Sequence, residues 1–336
     1  AALVGLAGVE FSFEHSQEWL QTFLLFEVSE NTVRAETETL GALALAGDLA
    51  QSQSSQNEAY LQERLRDVVA VPPRLYGSID AAKVRIEPRK QAEKQEKNEA
   101  WRDMKVGCWY ETEEVSPKRC STRERAKQER DAVIYRAKNI RYYCDIAEAS
   151  EFGKLMWGQG CREQADWARE LIFVCDGATW IWKLVEQYYP QAVQIVDWYH
   201  AEERLERVAQ EAFPNRAMRE AWLKETQSSL WEGQVAEVIQ RCDRLAPKCA
   251  EAQHAVTYFT HNESRMHYDK FRAAGYLIGS GTVESGCKQI VTERLKRSGA
   301  QWLVAGAVQT AKARAVWLSG RWEALCARRD TLPLAI

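Results

Sequence analysis

Two short runs constrain the fold of this chain more than any other feature. "LIFVCDG" (171–177) and "AVQIVDWYH" (192–200) are each almost wholly apolar up to an aspartate, Asp176 and Asp197. A strand that is apolar at nearly every position is buried on both faces, so it belongs to the middle of a helix-covered sheet. Between the two lies "ATWIWKLVEQYYP", which reads as a helix stopped by Pro190. Strand, helix and strand in that order predict a parallel pair joined by a crossover.

Upstream, "RLYGSIDAAKVRIE" (74–87) and "WRDMKVGCWYETEEV" (101–115) alternate like strands on either side of a charged connection, "QAEKQEKNEA". "NIRYYCDIA" (139–147) is a third strand-like run, and "SEFGKLMWGQGCREQADWARE" after it reads as a helix despite its glycines. From 201 to 270 the text is helical throughout, and a last helical region follows to about 328. The order β-β-β-α-β-α-β, a long helical segment, then α, is that of a ribonuclease-H-like α/β core with an all-helical insertion before its final helix. The expected division is a helical N-terminal region at 1–72, a core in two parts at 73–200 and 273–330, and the insertion at 201–272.

The N-terminal region predicts helix over 11–46, with Ser29 as an N-cap and Gly41 as a C-terminal stop. A preceding helix around 14–24 makes this a candidate helix-turn-helix. Its second helix carries Glu30, Glu36 and Glu38 against Arg34, poor chemistry for a major groove, so an ordinary helical hairpin is the better reading. A polar helix over 48–71 ends at Pro72-Pro73. The chain begins at Ala1, which suggests a truncated N-terminal region.

No run approaches the roughly 18 apolar residues of a membrane span, and "AALVGLAGVEF" lacks the basic flank of a secretory signal. Nine cysteines without a single Cys-x-x-Cys argue against a zinc ribbon or disulfide framework and for a reducing, cytoplasmic setting. The net charge is −3, yet it is unevenly spread: 117–141 holds nine Lys/Arg against three acids, and 288–329 nine against two. Such blocks fit either phosphate contact on one face or a solvated helical surface.

Three acids stand where chemistry would need them. Asp80 lies inside the first strand, Asp176 at the end of the fourth, and Glu284 in "GYLIGSGTVESGCKQIVTERLKRSG" (275–299), at the start of the helix after the insertion. The Gly-Ser-Gly loop before Glu284 could cradle a phosphate or be a plain turn. Sites in open α/β sheets gather beyond the carboxyl ends of the strands. Converging carboxylates repel unless cations neutralise them, and hard oxygen ligands suit two Mg²⁺ (or Mn²⁺) ions.

The blocks "VCDGATWIWKLVEQYYPQAVQIVDWYHAEERL" and "GYLIGSGTVESGCKQIVTERLKRSGAQW", with "SIDAAKVR…WRDMKVG" before them, resemble the DDE transposases of bacterial insertion sequences, specifically the ISKra group. The resemblance covers roughly 70–305 and places the metal-binding catalytic acids at Asp80, Asp176 and Glu284. Ala81 departs from the glycine expected after the first acid. The related Mutator-like transposases carry an Asp/Cys-x-x-His pair, matched here by Asp197 and His200. It implies metal-dependent 3′-end cleavage and strand transfer on double-stranded DNA, both element terminal inverted repeats and target, by a homo-oligomer in the bacterial cytoplasm at the nucleoid. Lys288, Arg294, Lys296 and Arg297 would follow the DNA backbone, Lys288 sharing a helix face with Glu284. Trp222 or Trp231 of the insertion would stack on an unpaired base. The rival readings are a catalytically inactive, transposase-derived DNA-binding protein and a ribonuclease-H-like nuclease.

Overall fold

The computed structural model describes residues 1–64, 70–87, 100–115 and 135–331. Much of the charged connection and most of the basic block at 117–141 lie outside the described residues. The chain forms two compact units, Ala1–Leu171 with Thr282–Ile336, and Ile172–Gly281.

The first unit is built on an antiparallel sheet. β1 (Arg74–Arg85) pairs with β2 (Trp101–Glu114), and β2 with β3 (Tyr135–Asp145), which starts earlier than the sequence predicts. The Tyr76↔Tyr110 pair stacks across β1 and β2 with ring centroids 5.3 Å apart. β4 (Glu170–Cys175) starts in this unit, where the Arg169 and Glu170 N–H groups donate to the Pro72 and Pro73 carbonyls at the entry to β1. β4 continues into the second unit and pairs in parallel with β5 (Val193–Val196). The strand order is therefore β3-β2-β1-β4-β5, a mixed sheet in an α/β protein.

Helices α1 (Ala2–Glu10), α2 (Phe13–Leu24), α3 (Glu30–Ser54) and α4 (Glu58–Arg64) precede the sheet. Ser12 caps α2 and Ser29 caps α3, each accepting a backbone N–H three residues on. α2 and α3 form an ordinary hairpin. α3 turns Val33, Thr37, Leu40 and Ala44 into the core. Gly41 does not stop the helix, which runs on to Ser54. A Cβ at Gly41 would collide with the Gln309 backbone, so the glycine permits close approach of α3 to α14 (Val304–Leu318). α15 (Trp322–Asp330) follows, and α5 (Ala149–Arg162) packs on both α3 and β2.

α14 is buried on all sides, from Thr310 through Ala315. Two of those residues are charged. Lys312, 2% exposed, reaches Asp48 of α3 at 2.9 Å and Asp145 of β3 at 3.3 Å. Arg314 reaches the opposite way, to Val9 of α1 and to Gln289.

The second unit carries α6 (Thr179–Tyr188) between β4 and β5, then the helical segment α7 (Trp198–Ala212), α8 (Arg216–Trp231), α9 (Val235–Asp243), α10 (Ala250–Asn262) and α11 (Tyr268–Ala273). α6 buries Ile181, Trp182, Leu184 and Val185, the apolar stripe its sequence carries. Tyr268 packs edge-on against Trp198 at 5.0 Å and donates its O–H to the Val196 carbonyl, tying the helical segment to the end of β5. Among the described residues no helix is long and apolar enough to cross a membrane. The eight described cysteines are free and buried.

Candidate functional site

In the first unit, Asp80 sits in the middle of β1 opposite Val106 of β2, half-buried. Its Oδ1 accepts the Ala81 N–H at 2.6 Å. Beside it lies Cys287. Burial pushes that thiol up, and the Asp80 carboxylate pushes it further by its charge and by the hydrogen bond it accepts. A thiol so shifted stays protonated and donates to Asp80.

Cys287 belongs to the helix that carries Glu284, one turn earlier. That helix begins as α12 (Gly281–Gly286), widens into a π-helical turn (Cys287–Thr292), and closes as α13 (Glu293–Leu295). Its first turn is fastened to the sheet, where Tyr142 of β3 donates its O–H to the Thr282 carbonyl at 3.1 Å. Gly286 lets the helix lie flat there, since a Cβ would come within 2.6 Å of the Tyr142 ring. The structure thus sets Asp80 against the same helix that bears Glu284, and Glu284 is exposed.

In the second unit, Asp176 and Asp197 follow adjacent parallel strands, where Cys175 pairs with Val196. Asp176 is half-buried and its Oδ1 accepts the Ala178 N–H at 2.9 Å, shaping the turn into α6. The helical segment clamps that turn. Tyr258 of α10 donates to the Asp176 carbonyl at 2.9 Å, and Asn262 donates to that of Gly177 at 3.4 Å. Burial pushes the Tyr258 phenol up and the Asp176 carboxylate adds to it, so Tyr258 remains a donor.

Asp197 is fully buried. It caps α7 by accepting the His200 N–H on Oδ1, and its Oδ2 accepts the Ser280 N–H. The Trp198 N–H donates to the Ile278 carbonyl at 2.9 Å. Together these contacts hold the Gly-Ser-Gly loop just before Glu284. Burial pushes the Asp197 carboxyl up, but bonds from His200 and Ser280 outweigh it and leave the group below the usual carboxylate range. The His200 Nδ1 lies 3.4 Å from the Asp197 Oδ1. The "DWYH" pair is therefore a strand-end clasp on the loop.

The basic residues expected along DNA divide. Lys288 and Lys296 are exposed. Arg294 is not on the surface. It is 2% exposed, lies over the rings of Phe13 and Trp302 at 4.6 and 5.2 Å, and its Nε donates to the Gly8 carbonyl. Arg297 is half-buried, and its Nη2 donates to the Glu10 carbonyl at 2.7 Å. With Arg314 on the Val9 carbonyl, three guanidinium groups cap the last carbonyls of α1, where the helix dipole is negative. Burial, with Arg297 and Arg314 nearby, draws the Arg294 pKa down to about 9, so at neutral pH it keeps its charge.

The π-turn explains why helical spacing misplaces Arg294. In an unbroken α-helix Arg294 would sit about 80° round from Glu284, at about 100° per residue. One added residue turns it by about 100° more, to the side opposite Glu284.

Trp231 packs edge-on against Trp198 at 4.9 Å and carries Arg272 over its ring at 3.9 Å, so it is a packing residue of the helical segment. Trp222 is half-buried and leans on Phe213 at 6.0 Å. Tyr142, Tyr258, Asn262 and Cys287 shape the surroundings of the acids, yet no local sequence signal marks them. In comparisons with known proteins, no family model and no curated protein matches this chain.

Proposed function

We propose that this chain is a DDE transposase of the ISKra type. It would bind the terminal inverted repeats of an insertion sequence, cleave the 3′ ends and join them to target DNA as a homo-oligomer. One observation carries the reading, the placement of three acids on the order β3-β2-β1-β4-β5. Asp80 lies midway along β1, Asp176 just past β4, and Glu284 in the first turn of the helix that follows the helical segment. Ligands of α/β sheets gather at such strand ends.

The three proposed ligands are carboxylates, whose oxygens suit Mg²⁺ or Mn²⁺ rather than a soft metal. Asp80, Asp176 and Glu284 would hold two ions, which when bound activate water or a 3′-hydroxyl and stabilise the leaving oxygen. The remaining work belongs to the protein. The Cys287 thiol orients Asp80. Tyr258 fixes the turn carrying Asp176. Asp197 holds the loop that leads to Glu284. Lys288 and Lys296, both exposed, would meet DNA phosphates along and beyond the Glu284 helix.

The test is Glu284→Gln, assayed with supercoiled plasmid DNA and Mn²⁺, alongside calorimetric titration of Mn²⁺. Loss of nicking and strand joining by at least about 100-fold, with weaker Mn²⁺ binding, is expected, because outer-sphere changes alone cost 10–100-fold. Undiminished cleavage would overturn the assignment. DNA binding by the wild type without any Mg²⁺- or Mn²⁺-dependent cleavage would favour the inactive DNA-binding reading.

A further inference from the structure

The helix that bears Glu284 is widened one turn later, and the widening has a partner. At Cys287–Thr292 the helix is π, and the Glu293 N–H donates to Lys288, five residues back. The Lys296 N–H likewise reaches five back, to Val291. In an α-helix the Glu293 N–H would go to the Gln289 carbonyl instead. That carbonyl accepts from Arg314 Nε at 2.6 Å. The same guanidinium donates through Nη1 to Val9 at 2.8 Å and lies 3.2 Å from Glu10 and 3.8 Å from Glu293. It is 5% exposed, in the stretch of α14 that is buried on all sides.

The geometry points to Arg314 as a positioning residue for the third acid: it holds the π-turn open and so sets the rotation of Glu284 on its helix. The inference rests on the metal-site reading of Glu284 given above. The two ends of the helix are anchored independently. Thr282 and Gly286 are set on Tyr142, while Ile290, Val291, Arg294 and Leu295 are buried. Closing the π-turn to α-helix would rotate one end against the other by about 100°. With the C-terminal end fixed in the core, Cys287 would turn away from Asp80, and Glu284 with it. A buried arginine suits this task, because its planar fork can serve carbonyls on two elements at once.

The experiment compares Arg314→Lys with Arg314→Met. Lysine keeps the charge but cannot serve both the Val9 and Gln289 carbonyls in this geometry, and methionine offers no donor. Two readouts apply, a crystal structure or backbone NMR of residues 284–296 and calorimetric Mn²⁺ affinity. The expected result is a helix closed to i−4 bonding at Glu293 and Mn²⁺ affinity lowered about tenfold or more. If Arg314→Met does not fold, Arg314→Lys decides the question by the same two measurements. A π-turn that persists in a folded variant overturns the inference, as does a closed turn with Mn²⁺ affinity within twofold of wild type. If Glu284→Gln itself leaves Mn²⁺ binding unchanged, the metal-site reading fails, and helix geometry alone then decides whether Arg314 holds the turn.

Discussion

Replacing Asp197 with alanine should free the loop that leads to Glu284 without touching any proposed metal ligand. Asp197 is fully buried and satisfies two backbone N–H groups, those of His200 and Ser280. Ser280 is 1% exposed, so its N–H would be left without water. An unmet buried donor costs about 1–3 kcal/mol. Loss of the helix cap on α7 costs about 0.5–2 kcal/mol more. The sum, about 1.5–5 kcal/mol, corresponds to exchange of the Ser280 and His200 amides about 10- to 5,000-fold faster, at 1.36 kcal/mol per tenfold. Hydrogen exchange read residue by residue measures this directly. Asp197→Asn should restore protection at His200 but not at Ser280, because its amide keeps one acceptor and sets a donor against the Ser280 N–H. The effect also has a pH signature. The folded-state pKa of Asp197 lies below its ordinary value, so its stabilisation is present above the unfolded value of about 3.9 and is lost as pH falls below it. The difference between wild type and Asp197→Ala should therefore narrow as pH falls through the lowered folded-state pKa of Asp197. Ser280 protection in Asp197→Ala within twofold of wild type at pH 7 would refute the reasoning.

Other outcomes follow from the same contacts. Lys312→Met should destabilise the first unit by about 3–5 kcal/mol in urea unfolding, because it strands Asp48 and Asp145 without their buried cation. Adding Asp48→Asn and Asp145→Asn should restore part of that loss. Gly286→Ala should cost about 1–3 kcal/mol by overpacking against Tyr142 and should weaken Mn²⁺ binding as well. Lys288→Ala with Lys296→Ala should reduce the salt dependence of DNA affinity by about 0.9 per lost phosphate contact. Arg294→Gln should leave that slope unchanged and lower the melting temperature instead, since Arg294 serves the Gly8 carbonyl.

Local order was legible in the sequence by itself. Ser29 caps the helix that follows it, because a cap needs only an N–H two or three residues on. The apolar runs before Asp176 and Asp197 are strands, and the alternating runs at 74–87 and 101–115 are the antiparallel pair, because side-chain period follows backbone geometry. The positions of Asp80, Asp176 and Glu284 at a strand middle, a strand end and a helix start were equally readable. What only the tertiary structure decided is which charges face water and which glycines mark contact. Arg294, Lys312 and Arg314 belong to a basic run, yet each is buried on partners more than 150 positions distant in sequence, Gly8, Asp48 with Asp145, and Val9. No local pattern encodes such a pairing, because a guanidinium or ammonium is stable inside only where distant carbonyls and carboxylates meet it. Gly41 reads as a helix stop until the backbone of α14 is laid against it. The π-turn at Cys287–Thr292 is the sharpest case. One added residue turns everything beyond it by about 100°, and what holds it open is a side chain 25 residues later, on another helix.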